Sequence, residues 1–178
     1  MTKNKTMFCL FNQGTKTMKM SKISVATAAL ALCMGASSAM AVTITPANTA
    51  FSAKGVSVVK PGFLSPVTCN VEFIGTTSVG GADKATITAV NITGGGFCGA
   101  ASAAGLPWTL TASSLTAGSV SGVKFTVAGI NCSSSPVTVN GVWSNSANKL
   151  TLNPNQPVGS CTIQSLYVNP TPAFTLVP

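Results

Sequence analysis

Few side chains in this sequence can take part in acid–base or nucleophilic chemistry. The chain contains no His and no Arg, and Glu72 and Asp83 are its only acids. General acid–base catalysis uses His or a matched pair of carboxylates placed against the substrate. Ser-His-Asp and Cys-His mechanisms would lack their base. The composition therefore predicts a protein that is not an enzyme.

Cysteine is the other residue type with chemistry to offer. Four cysteines follow residue 41: Cys69, Cys98, Cys132 and Cys161. A zinc site would be expected to contain close pairs such as Cys-x-x-Cys, which are missing here. We therefore expect no metal and no other cofactor. Whether these cysteines form disulfides depends on the compartment, which the N-terminus indicates.

The N-terminus has the pattern of a secretory signal peptide. Lys19 and Lys22 precede an apolar run, Ile23 to Met34, and small residues then lead to Ala39-Met40-Ala41, the A-x-A pattern of a cleavage site. The run is short for a membrane span of about 20 residues. We expect residues 1–41 to be an N-terminal extension with a cleaved signal, and residues 42–178 to be a single exported domain with no transmembrane segment. Met18 or Met20 is an alternative start.

Export makes disulfides the favoured state of the four cysteines, because an even number in an oxidising compartment is typical of a disulfide framework. Four cysteines allow three pairings, and spacing does not fix one. We favour Cys69–Cys98 with Cys132–Cys161, since each pair closes a local loop of about thirty residues.

Charge is sparse in the part that follows the signal. Five of the ten lysines, from Lys3 to Lys22, precede the apolar run, and the other five are spread thinly. Nucleic-acid-binding proteins show clustered basic residues, usually with Arg and stacking aromatics. We therefore expect no nucleic-acid partner.

Short alternating runs separated by turn residues recur along residues 42–178, and helix signals are almost absent. The clearest run is Val67 to Phe73, which places Val67, Cys69, Val71 and Phe73 on one face. Val137–Trp143 and Lys149–Leu152 have the pattern of a hairpin. The pattern predicts an all-β, single-domain antiparallel β-sandwich, jelly-roll-like, Ig-like or barrel-like, of about ten short strands with two disulfides.

The aromatic residues Trp108, Trp143 and Tyr167 have two interpretations. They can form a stacking platform for a carbohydrate or lipid, or they can pack into the structure. Isolated aromatics on strands are far more often packed. We therefore assign Trp108 and Trp143 a structural role.

The uncharged polar surface has a consequence of its own. A domain with so few charges lacks the usual electrostatic guard against self-association and adsorption to interfaces. Strand edges rich in Thr and Ser with few lysines also permit pairing between copies. This composition is consistent with two hypotheses. One is self-assembly into a homo-oligomer or fibre, and the other is surface activity.

Several segments together resemble the alkane-oxidation activator proteins of the PraB family. They are Ala41-Val42-Thr43-Ile44-Thr45-Pro46, Val67-Thr68-Cys69-Asn70, Gly105-Leu106-Pro107-Trp108-Thr109-Leu110-Thr111-Ala112, Asn140-Gly141-Val142-Trp143, Cys161-Thr162-Ile163-Gln164-Ser165-Leu166 and Pro170-Thr171-Pro172-Ala173-Phe174-Thr175-Leu176. The resemblance implies a small secreted protein of Gram-negative bacteria, associated with growth on hydrocarbons. It supplies no active site that can be carried onto these positions.

The sequence and the resemblance lead to one main functional hypothesis. The protein is expected to be secreted or held at the cell surface, and to promote alkane assimilation without catalysis, as a biosurfactant acting at a hydrophobic interface. Two alternatives remain: a pilin-like structural subunit of an extracellular fibre or biofilm matrix, and a carbohydrate- or lipid-binding module that uses Trp108 and Trp143.

Overall fold

The computed structural model describes residues 41–80 and 82–178. The expected extension and signal peptide, apart from Ala41, lie outside these residues. The described chain is built almost wholly of strands, with one short 3₁₀ helix at Gly96–Ala100. The strands are β1 (Thr43–Thr45), β2 (Ala50–Pro61), β3 (Val67–Thr77), β4 (Lys84–Thr93), β5 (Ser102–Ala104), β6 (Trp108–Ala112), β7 (Ala117–Val127), β8 (Ile130–Asn131), β9 (Val137–Ser144), β10 (Lys149–Leu152), β11 (Gln156–Val158), β12 (Cys161–Thr171) and β13 (Thr175–Val177).

Eight strands form a closed antiparallel barrel. They pair in the order β10-β9-β7-β6-β4-β3-β2-β12, and β12 then pairs with β10. The closing contact joins Leu150 to Val168 and Thr151 to Tyr167. Strands β5 and β8 pair with the last residues of β7, and β11 pairs with the start of β12.

The closing contact corrects the predicted fold. The all-β class and the two disulfides are confirmed, and the barrel-like form is the one observed, but the two-sheet sandwich is not. In a sandwich, each sheet keeps two edges. Here β10 uses one edge for β9 and the other for β12, so the sheet curls onto itself. Alternation along a single strand is the same in both architectures, which is why the sequence did not separate them.

Alternation of buried and exposed residues places one face of each strand inside the barrel. On β3, Cys69 and Val71 are buried while Thr68 and Asn70 are exposed, as the sequence pattern predicts. The same period continues on β9, where Val139 and Trp143 are buried and Val142 is half exposed. Inward side chains from all eight strands thus form one core.

Two glycines lie where the backbone of a neighbouring strand comes too close for any side chain. A Cβ at Gly55 would overlap the carbonyl oxygen of Tyr167 on β12, and one at Gly75 would overlap the carbonyl oxygen of Thr86 on β4. Gly75 also lies next to an irregularity in the β3–β4 pairing. Irregularities of this kind bend a strand and increase its twist, which a closed barrel requires.

A two-stranded ribbon, β1 with β13, covers one end of the barrel, here called the capped end. Ile44 of β1 is 1% exposed and lies opposite Leu176 of β13. The Asn145 amide holds the ribbon, because its Nδ2 donates to the Leu176 carbonyl at 3.0 Å and its Oδ1 accepts from the Leu176 N–H at 2.9 Å. The ring of Phe174, just before β13, meets the ring of Phe51 edge-on, with centroids 4.9 Å apart.

Both disulfides lie at the opposite end, here called the disulfide end. Cys69 of β3 bonds Cys98 of the 3₁₀ helix, and Cys132 bonds Cys161 at the start of β12. These are the pairs that the spacing favoured. Each ties a long connection back to a barrel strand, and all four cysteines are buried. Among the described residues, none of the helical segments has the length and apolar character needed to cross a membrane.

Removing either disulfide is expected to destabilise the barrel strongly. Each closes a loop with a sequence separation of 29 residues, for which the chain-entropy estimate gives about 3–4 kcal/mol. The double substitution Cys132→Ala/Cys161→Ala should therefore lower the free energy of unfolding in urea by that amount. Ser134→Ala, an exposed change in the same connection, should leave it within about 0.5 kcal/mol of the parent. A loss below 1 kcal/mol in the double variant would contradict this assignment.

Candidate functional site

The two acids are not brought together. Glu72 lies on the outer wall of β3, where it faces Asn91 of β4 across the pair. Asp83 directly precedes β4, eight positions from Asn91, which is about 25 Å along an extended strand. No paired-carboxylate site is therefore formed. In residues 41–80 and 82–178, no three His, Cys, Asp or Glu side chains meet in a way that can hold a metal ion.

Glu72 is instead the centre of a small polar network on the wall. Its carboxylate accepts hydrogen bonds from Ser52 Oγ at 2.6 Å and Asn91 Nδ2 at 3.0 Å, and it lies 3.6 Å from Lys54 Nζ. These hydrogen bonds, from Ser52 first and then Asn91, hold the pKa of Glu72 below its usual value, with a smaller contribution from Lys54. A carboxylate kept ionised in this way is a poor proton donor or acceptor near neutral pH.

The three aromatics considered for stacking do not share a surface. Trp108 and Trp143 are 4% and 7% exposed and point into the barrel, whereas Tyr167 lies on the outer wall with Lys149 Nζ 5.4 Å from its ring centroid. Both indole N–H groups are already used: Trp108 Nε1 donates to the Ala104 carbonyl at 3.0 Å, and Trp143 Nε1 donates to Asn145 Oδ1 at 2.6 Å. Neither can stack on a sugar from outside.

The interior of the barrel contains an apolar cavity of about 90 Å³. Every barrel strand contributes to its wall, and Phe174 contributes from the capped end. Apart from Ser57, all side chains in the wall are aliphatic, aromatic or proline. The lining residues are Phe51, Ala53, Ser57, Val59, Val71, Phe73, Ile87, Trp108, Leu110, Val120, Val123, Phe125, Trp143, Leu150, Leu152, Ile163, Leu166, Val168, Pro170 and Phe174.

This cavity is costly for the fold. Cavity-forming substitutions lose about 24 cal/mol for each Å³ of void, so a cavity of about 90 Å³ corresponds to about 2 kcal/mol. An apolar wall also offers water too few hydrogen-bond partners to hold it well. A bound apolar group would regain the lost contacts, and the cavity is therefore the first candidate site.

A second, smaller cavity of about 20 Å³ lies beneath the ribbon. Four residues line both cavities: Leu110, Trp143, Leu150 and Phe174. The ring centroids of Trp143 and Phe174 are 6.1 Å apart. These four side chains therefore lie between the barrel interior and the space under the capped end.

The disulfide end presents a different apolar feature on the outside. Phe63, in the β2–β3 connection, is 92% exposed, and Phe97, in the 3₁₀ helix, is 57% exposed. The four connections at this end, residues 62–66, 94–107, 128–136 and 153–160, contain no Lys, Arg, Asp or Glu. An end with exposed aromatic rings and no charge in its connections is the second candidate site, here called the uncharged tip.

Reasoning from the sequence identified neither site. The cavity wall is made of the same alternating apolar residues that fill any β core, so no residue pattern distinguishes a void from close packing. The uncharged tip did carry a signal: Phe63 follows Pro61-Gly62 and precedes Pro66, which marks an aromatic residue in a turn.

Comparison with known proteins gives a family and no closer relative. Searches of curated proteins and of solved structures returned no match. The family model described as "Alkane oxidation protein activator PraA/PraB-like" matches residues 18–178, which is nearly the whole chain. The resemblance seen in the sequence is thereby confirmed, and the chain belongs to the PraA/PraB-like family of alkane oxidation protein activators.

Proposed function

We propose that this protein promotes alkane assimilation without catalysis, by adsorbing at the hydrocarbon–water interface through its uncharged tip. The family description supports a role in activating alkane oxidation and names no enzyme. The observation that carries the proposal is the exposure of Phe63 and Phe97 at an end whose connections have no charge.

The energetics favour adsorption at this end. Burying a Phe side chain in an apolar phase gains about 1.5–3 kcal/mol. The connections themselves carry no charge, and the nearest charged side chains are Lys60 at the end of β2 and Lys124 opposite Ala104. Long lysine side chains can keep their ammonium groups in water while the rings enter oil, so the desolvation cost at the tip stays small. The disulfide Cys69–Cys98 holds the 3₁₀ helix that carries Phe97 against β3, so the ring stays exposed without unfolding of the barrel.

The structure gives less support to assembly into a fibre. Strand addition needs a free sheet edge. Closure of the barrel uses both edges of β10 and β12 for pairing within the chain, and the outer edges left in the described residues belong to β1, β5, β8, β11 and β13, which are only two or three residues long. A carbohydrate-binding surface built on Trp108 and Trp143 is also disfavoured, because both rings are buried with their N–H groups bonded.

Removing the aromatic rings of the tip should weaken adsorption. The purified Phe63→Ser/Phe97→Ser variant is expected to lower hexadecane–water interfacial tension less than the parent protein at equal concentration, because the tip loses its largest apolar groups. Pendant-drop tensiometry measures the difference.

The matched control lies at the capped end, where Val79 and Leu115 are 71% and 42% exposed. Val79→Ser/Leu115→Ser makes the same kind of change in the other end's turns and should adsorb nearly as the parent does. If the Phe variant and the parent give the same tension curve, or if the control loses activity equally, the tip is not the adsorbing surface.

We also propose that the chain is exported and cut after Ala41, and that it acts at the cell surface or in the medium. Cells grown on alkane should then hold the protein in the medium or outer-membrane fraction, with Val42 as its first residue by N-terminal sequencing. The full-length chain in the cytoplasmic fraction, with residues 1–41 intact, would refute export.

A further inference from the structure

We propose that the barrel interior is a binding site for a single uncharged, unbranched alkyl chain, such as an n-alkane or a primary n-alkanol. This goes beyond adsorption at an interface, since it concerns one molecule inside the protein and a different set of residues. The cavity of about 90 Å³ and its wall carry the inference.

The wall selects against charge. None of the five lysines and two acids that follow residue 41 lines the cavity. A carboxylate inside would lose its water and find no counter-ion, which strongly disfavours the ionised form. The two indole N–H groups are bonded to Ala104 and Asn145 and are not free to receive it. Fatty acids are therefore poor ligands at neutral pH.

The wall also offers one polar group. Ser57 of β2 is 5% exposed and is the single polar side chain among the lining residues. A hydroxyl can donate or accept one hydrogen bond, which suits a terminal alcohol and is not needed by an alkane. Ser57 therefore distinguishes the two ligand classes within one site.

The shape of the cavity favours an unbranched chain. Its lining on β2 runs from Phe51 to Val59, and on β12 from Ile163 to Pro170, so it extends along the barrel. A cavity of about 90 Å³ whose lining runs along two strands suits one short chain, so short probes are the appropriate test.

The test uses the purified protein with three six-carbon probes: n-hexane, 1-hexanol and hexanoate at pH 7. Hexane and 1-hexanol should raise the midpoint of thermal unfolding by several degrees, because a ligand that binds only the folded state stabilises it. They should also change the emission of Trp108 and Trp143, which line the cavity. Hexanoate should do neither.

Substitutions in the cavity wall, with a matched control outside it, make the test specific to the cavity. Ala53→Leu adds a larger apolar side chain to the wall, so the response to hexane should disappear; Ala147→Leu, the same change at an exposed turn residue, should keep it. If Ala53→Leu fails to fold, Val71→Ile makes a smaller addition to the same wall. Ser57→Ala should leave hexane binding unchanged and weaken 1-hexanol about three- to tenfold, as expected for one lost hydrogen bond.

The outcomes separate this site from the tip. Ala53→Leu should still lower interfacial tension, and Phe63→Ser/Phe97→Ser should still respond to hexane in the melt. The proposal is overturned if neither hexane nor 1-hexanol changes the melt or the emission, if hexanoate binds as well as 1-hexanol, or if the folded cavity-filling variant responds as the parent does.

Discussion

The pairing of the short strand β10 with β12 is the interaction on which the rest of the structure depends. It joins the last strand of the sheet to a strand already paired with β2, and so turns an open sheet into a barrel. Only two residue pairs make this contact. They are supported by neighbours on each side: β9 pairs with β10 over four residues, and Asn169 and Asn148 connect β12 to the β9–β10 turn by side-chain hydrogen bonds. Without closure, β10 and β12 would each present a free edge, which is the feature that permits pairing between copies.

Closure also determines the interior. In a barrel of eight strands, inward side chains have just enough room to fill the centre or to leave space for one small ligand. Here four Phe and two Trp side chains line the central space together with small residues such as Ala53 and Ser57, and they leave about 90 Å³ between them. Gly55 and Gly75 contribute no side chain to the wall at positions where a neighbouring backbone comes too close for one. Rings, small residues and glycines without a side chain together leave this space unfilled.

The sequence was sufficient for the strand content, the β9–β10 hairpin and the inward direction of Cys69, and loop length favoured the observed disulfide pairs among the three possible pairings. These properties depend on local alternation, turn residues and loop length, and each of these can be determined directly from the sequence. It was insufficient for the barrel, because closure depends on pairing between residues 150–151 and residues 167–168. Local sequence patterns carry no information about that pairing. It also missed Phe63 and Phe97 as a common end, since they lie on connections whose proximity is a consequence of strand order.

The uncharged tip and the cavity are both apolar, but one lies on the outside of the barrel and the other lies inside it. At the tip, two rings face outward and no charge in the connections opposes contact with a bulk apolar phase. Inside, twenty lining residues surround a space proposed to hold one short chain, and the wall disfavours ions because it has no counter-charge. A protein with only the tip could adsorb at an interface, and a protein with only the cavity could carry a single molecule. With the tip at the disulfide end and the cavity inside the barrel, the two proposed functions, contact with a hydrocarbon surface and binding of a single molecule, use different residues.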